Sequence, residues 1–312
     1  MQALTFETPL AAERPIHLDV SRKLALVGVC LCAGIAPLAV RWMGDDALRI
    51  VCGALLTIGY LAFALFARRQ LSAVHTCWEL AFAFFILALV QVLNNSIPGF
   101  VGTVLLHDHP NAANPFASTI SGTVILQLLT TLIAIVPVVG LTLVSGKDLR
   151  SISARAGVAG GWLALALVFF VLFYVFLATI PLRPGSVAER LLPTNGTPTF
   201  AALLGLTPAL LLVSISNGFE EELLFRGLFL QKYERFFGAR LANVIQALIF
   251  SVAHRGISYT PVAWLFVVLV VFPLGLAAGY LMRATRGVLL PGLFHGALDM
   301  AIYLAVLTYA VA

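Results

Sequence analysis

Residues 200–226 read FAALLGLTPALLLVSISNGFEEELLFR: an apolar run ending in three consecutive carboxylates, Glu220, Glu221 and Glu222, with Arg226 four residues further on. Residues 200–216 have the composition of a membrane helix. A carboxylate at membrane depth costs several kcal/mol, so three in a row demand a partner or a function. If the run is helical, Glu222 and Arg226 share a face in the favoured acid-before-base order, and the bland reading of that pair is structural. Glu221 lies about 100° further round the helix, out of easy reach of the same arginine, and is the carboxylate free for chemistry. Glu220 has no assigned role beyond the wall of a cavity. The sequence leaves open whether residues 217–237 extend this helix or form a broken, re-entrant piece.

Composition places the run in its setting. The chain is 61% hydrophobic and only 11% charged, with a mean hydropathy of +1.00, against roughly 25% charged residues in ordinary soluble domains. Apolar stretches recur near residues 24–40, 47–66, 77–93, 119–144, 158–180, 200–216, 241–253, 262–282 and 288–310. Each is expected to be helical, because backbone groups in lipid must be satisfied within the segment. The fold class is therefore all-α, a polytopic transmembrane bundle of about eight or nine membrane helices.

With a cytoplasmic N-terminus and alternating spans, only Arg41, Arg49, Arg183, Arg190 and Arg255 fall outside, and all the other lysines and arginines fall inside. That follows the positive-inside rule. The first twenty-three residues mix acids and bases without a cleavable leader pattern, so the first span reads as an uncleaved anchor. The net charge of +5 reflects orientation and the lipid bilayer as partner; no basic run with interleaved aromatics points to nucleic acid. Cys30, Cys32, Cys52 and Cys77 lack metal or redox spacing and are expected to be buried thiols. Few lysines among the basic residues, with short loops, suit a bacterial inner membrane.

Downstream of the acidic run lie two more polar positions in apolar surroundings. His254 follows Phe250 at i+4, and His295 and Asp299 share one helical face. The midpoint between Glu221 and His254 is the polar turn at Phe237 and Gly238. An antiparallel hairpin about that turn puts both residues about 14 positions, roughly 20 Å, from its edge and thus at one depth. His295 lies about ten residues, roughly 15 Å, from the turn at Arg283 to Arg286, within one or two helical turns of that level. A facing glutamate and histidine can hold and deprotonate a water. Taken alone, His254 would read as an interfacial helix cap and Phe250 as packing.

These positions carry a family resemblance. Glu221, Glu222 and Arg226 match Glu-Glu-x-x-x-Arg, Phe250 and His254 match Phe-x-x-x-His, and His295 and Asp299 match His-x-x-x-Asn/Asp. In this ordered set the chain resembles the CPBP family, which unites CAAX prenyl endopeptidases with bacterial proteins of bacteriocin processing and immunity, also called Abi. The resemblance covers residues 158–312 as a catalytic core. Residues 1–157 resemble it only as generic membrane helices.

The resemblance implies an intramembrane endopeptidase acting on a membrane-embedded or lipid-modified protein or peptide. It implies Glu221 as general base, acting with His254 on the hydrolytic water, His295 and Asp299 as oxyanion or carbonyl groups, and Glu222 with Arg226 as structural support. The family is often called a metalloprotease, and Glu221, His254 and His295 are the zinc set in that case. The helical His-Glu-x-x-His signature is absent, and metal-free catalysis with no required cofactor is the preferred expectation. A non-catalytic immunity or scaffold protein and a proton-coupled transporter are the alternatives. No pair of interrupted helices in matching halves supports transport.

Overall fold

The computed structural model describes residues 16, 18–71, 73–101, 120–157, 200–254 and 261–309, together with helical positions 167, 168, 171, 172 and 175. Apart from those five positions, the span expected at 158–180 lies outside the described residues, as does Arg255. The described secondary structure is helical: α1 Val20–Val40, α2 Asp46–Arg69, α3 Trp78–Phe100, α4 Ile120–Val144, α5 Phe200–Glu221, α6 Leu228–Phe237, α7 Ala239–Ala253, α8 Pro261–Phe266, α9 Phe272–Thr285 and α10 Leu289–Tyr309. Among the described residues, five helical segments are long and apolar enough to cross a membrane. The protein is a polytopic helical bundle and an integral membrane protein.

Local chemistry starts the first two helices. The Asp19 carboxylate accepts from the Arg22 amide at 2.8 Å and that of Asp45 from the Leu48 amide at 2.7 Å, occupying backbone donors that a helix N-terminus leaves unpaired. Pro37, Pro98 and Pro137 sit inside α1, α3 and α4, a placement tolerated where neighbouring helices compensate. Large apolar side chains such as Val29, Leu55, Phe63 and Leu132 face outward, as lipid-facing positions do. Among the cysteines only Cys30 is buried. Cys32 is exposed, while Cys52 and Cys77 are intermediate, because the outer faces of these helices meet lipid and not protein.

Helix α3 carries a dense run of buried side chains, Leu80 to Ala88 with one break at Phe82. Its Phe84 ring packs against Tyr60 of α2 at 5.9 Å and Phe229 of α6 at 5.2 Å. At one membrane face, Glu79 at the start of α3 pairs with Lys147 just beyond α4, at 2.5 Å, and with Arg235 of α6, at 3.4 Å. Arg68, from the end of α2, lies over the Trp78 ring at 5.0 Å.

The acidic run does not break the chain. Helix α5 continues through a single π-helical turn, Glu222–Gly227, into α6. A periodicity of 3.6 does not foresee such a turn, and π-turns often accompany functional sites. Gly238, at φ +75°, then closes the α6–α7 hairpin, a left-handed conformation that glycine adopts without cost. At fifteen residues, α7 is about 22 Å long and too short to cross the hydrocarbon layer alone. It stops at depth, with His254 as its C-cap.

The crossing of α5 and α10 is unusually close. A Cβ on Gly218 would stand 2.6 Å from the Gly292 carbonyl oxygen and 2.7 Å from the Gly296 amide nitrogen. Small residues allow this backbone approach, the usual device of membrane helix pairs. It sets Asn217 and Glu221 beside His295 and Asp299. Gly218→Ala is expected to destabilise the protein by about 1–3 kcal/mol through overpacking. Thermal unfolding in detergent should show a lowered midpoint.

Candidate active site

Three helices deliver the site. Glu221 ends α5, His254 caps α7, and His295 and Asp299 lie one turn apart on α10. Glu221 Oε2 is 3.5 Å from His254 Nε2 and 3.5 Å from His295 Nε2, and His295 Nε2 is 3.7 Å from Asp299 Oδ1. The four residues read from the sequence therefore converge, and the hairpin and depth reasoning gives the observed pairing of Glu221 with His254.

The two imidazoles are oriented from behind. His254 Nδ1 lies 3.0 Å from the Phe250 carbonyl oxygen, an acceptor, so Nδ1 bears the hydrogen and Nε2 points at Glu221. His295 Nδ1 lies 2.9 Å from Glu222 Oε1, which by the same logic turns its Nε2 toward Glu221 and Asp299. Glu222 thus does more than neutralise Arg226. Its Oε1 also accepts from Arg226 Nη1 at 2.9 Å, with both side chains fully buried. A single carboxylate oxygen serves the arginine and orients the histidine.

Phe250 ties these groups together. It is fully buried, its ring lies 3.8 Å under the Arg226 guanidinium carbon, and it packs against His254 at 4.5 Å and edge-on to His295 at 5.6 Å. The guanidinium has no hydrogen-bond partner for Nε or Nη2 among the described residues, so the ring face takes the place of a second acceptor.

The site is closed on one side and open on the other. His295 keeps 1% of its side-chain surface, whereas Glu221 and His254 keep 20% and 21%. Among the described residues Glu221 Oε2 is buried and has no hydrogen-bond donor. A buried carboxylate oxygen left unpaired between two imidazole nitrogens is a place for a water or a reacting group, because burial without a partner is costly.

Four polar neighbours were missed by sequence reading. Asn217 donates through Nδ2 to Asp299 Oδ2 at 2.9 Å, and α4 supplies Gln127, Thr130 and Thr131 around Glu220. Asn217 carried a usable signal, since it lies four residues before Glu221 on the same helical face. Nothing in the sequence connects α4 to the site.

The expected zinc set, Glu221, His254 and His295, has suitable donor chemistry. Even so, among the described residues no group of three or more His, Cys, Asp or Glu side chains forms an arrangement that could hold a metal ion. The close approaches are pairwise about one carboxylate oxygen, Glu221 Oε2, and His295 Nδ1 faces Glu222 while its Nε2 faces Glu221.

Comparison with known proteins agrees with the motif reading. Residues 203–301 match the family model described as type II CAAX prenyl endopeptidase Rce1-like. No curated protein and no solved structure matches the chain. The matched segment contains all three motifs and the whole Glu221, His254, His295 and Asp299 constellation. Over residues 203–301 the chain is thus similar to type II CAAX prenyl endopeptidases of the Rce1-like kind.

Proposed function

We propose that this chain is an intramembrane endopeptidase in which Glu221 activates water against a peptide carbonyl. The observation that carries the reading is the unpaired Glu221 Oε2, held 3.5 Å from the Nε2 atoms of both His254 and His295.

In this mechanism a water sits between Glu221 Oε2 and His254 Nε2 and gives its proton to the carboxylate as its oxygen attacks the carbonyl carbon. General-base help of this kind is worth about 10²- to 10⁴-fold. The carbonyl oxygen becomes an oxyanion. His295 faces carboxylate oxygens through both ring nitrogens, an arrangement that accommodates the imidazolium, whose Nε2–H is the donor an oxyanion needs. One such donor contributes about 10²- to 10³-fold. Collapse of the tetrahedral intermediate breaks the C–N bond, and the proton held by Glu221 passes to the leaving amine. Asp299 holds His295 from the side, and Glu222 with Arg226 fixes its back.

The substrate is a membrane-embedded or lipid-modified protein or peptide that reaches the site from the open Glu221 and His254 side. The charge distribution supports a cytoplasmic N-terminus in a bacterial inner membrane, which puts the scissile bond toward the cytoplasmic half of the bilayer. No step is routed through a metal. Elemental analysis of purified protein is expected to find less than one equivalent of zinc. Stoichiometric zinc that disappears in His254→Ala would overturn this route. The test of the function itself compares new protein termini in native-host membranes carrying wild type or Glu221→Gln, and termini confined to wild type are expected.

A further inference from the structure

Helix α4 lies outside the matched segment, yet it reaches the site through hydrogen bonds. Gln127 Nε2 stands 3.1 Å from Glu220 Oε2, 3.2 Å from Thr131 Oγ1 and 3.4 Å from Asn217 Oδ1. Glu220 Oε2 also accepts from the Thr131 hydroxyl at 3.0 Å, and Glu220 is buried. On its other side, Asn217 gives Nδ2 to Asp299 Oδ2 at 2.9 Å, and Asp299 borders His295.

An asparagine side chain has one oxygen and one NH2 group, and its neighbours decide which way it sits. Here Asn217 lies between the Gln127 NH2, which can only donate, and the Asp299 carboxylate, which accepts. Its oxygen must face α4 and its nitrogen Asp299. The Gln127 amide is in turn held by Glu220, whose Oε2 it faces with a donor. Turning either amide would set oxygen against oxygen in a part-buried site, which loses a hydrogen bond worth about 0.5–1.5 kcal/mol.

We propose that Gln127 is a positioning residue for the hydrolytic site: with one amide hydrogen directed at Glu220 and the other at Asn217, it orients Asn217 so that its amide nitrogen fixes the Asp299 carboxylate beside His295. This rests on the endopeptidase reading above. It gives α4 a specific task, to complete from outside the matched domain the support of the residue that borders the oxyanion group.

The test uses full-length protein in native-host membranes and the initial rate at which wild-type-specific termini appear. Gln127→Glu replaces the donor with a carboxylate facing Glu220 and Asn217, so Asn217 turns over and presents oxygen to Asp299. Cleavage is expected to fall about 10- to 100-fold, the scale of a small misplacement of a catalytic group. The exchange Gln127→Glu with Glu220→Gln restores a donor and an acceptor between positions 127 and 220 but leaves Asn217 facing a carboxylate. Its unfolding midpoint in detergent is expected to return to the wild-type value while cleavage stays reduced at least about 10-fold. Recovery of cleavage in the exchange variant, or wild-type cleavage in Gln127→Glu, would overturn the proposal, since either means the contact serves only the packing of α4.

If wild type and Glu221→Gln give the same termini, the endopeptidase reading has failed. The orientation of Asn217 is then decided by a thermal-unfolding cycle of Gln127→Leu, Asp299→Asn and both together. Non-additive midpoint shifts would support the link through Asn217. Strictly additive shifts would refute it.

Discussion

Glu221→Gln is expected to leave the protein folded, at wild-type abundance, and at least about 10²- to 10⁴-fold slower in producing new termini. The substitution preserves the size and shape of the side chain and removes only the negative charge and the proton-accepting oxygen. Little in the fold depends on that charge. Glu221 keeps 20% of its side-chain surface, its closest charged neighbours are imidazole nitrogens at 3.5 Å, and the buried arginine is committed to Glu222. A variant that disappears from the membrane would mean that Glu221 is structural. A folded variant that yields wild-type termini would refute its role as base and turn attention to a scaffold or transport function.

Arg226→Met is expected to act in the opposite way, costing about 3–5 kcal/mol of stability by leaving the Glu222 carboxylate buried without its cation. Glu222 and Arg226 have no side-chain exposure, so water cannot replace the lost partner. The Phe250 ring would also lose the guanidinium that it carries at 3.8 Å. The unfolding midpoint should drop by on the order of 10 °C. The double variant Arg226→Met with Glu222→Gln should recover much of that loss, because it removes both charges together. It should not recover full cleavage, since a neutral amide is a weaker acceptor for His295 Nδ1 than the carboxylate now 2.9 Å away. Equal stability of single and double variants would show that the cost comes from packing and not from the uncompensated charge.

The sequence alone determined the class of fold and the candidate site. Long apolar runs in a chain with so few charges must become membrane helices, because no other element except a closed barrel satisfies its backbone in lipid. Ionisable groups in such helices are rare enough to stand out singly, so Glu221, His254, His295 and Asp299 could be named from composition and spacing, and the common depth of Glu221 and His254 followed from the length of the hairpin arms. Tertiary structure decided what periodicity does not encode. The π-turn at Glu222–Gly227 carries α5 into α6 without a break, a choice made by packing and not by residue spacing. The Gly218 crossing sets the α5–α10 distance. Glu222 orients His295 across 73 residues of chain, and Gln127 meets Glu220 and Asn217 across about 90. Hydrogen bonds of that reach depend on where two helices cross, and a polar residue in an apolar helix announces only that it needs a partner, not which one.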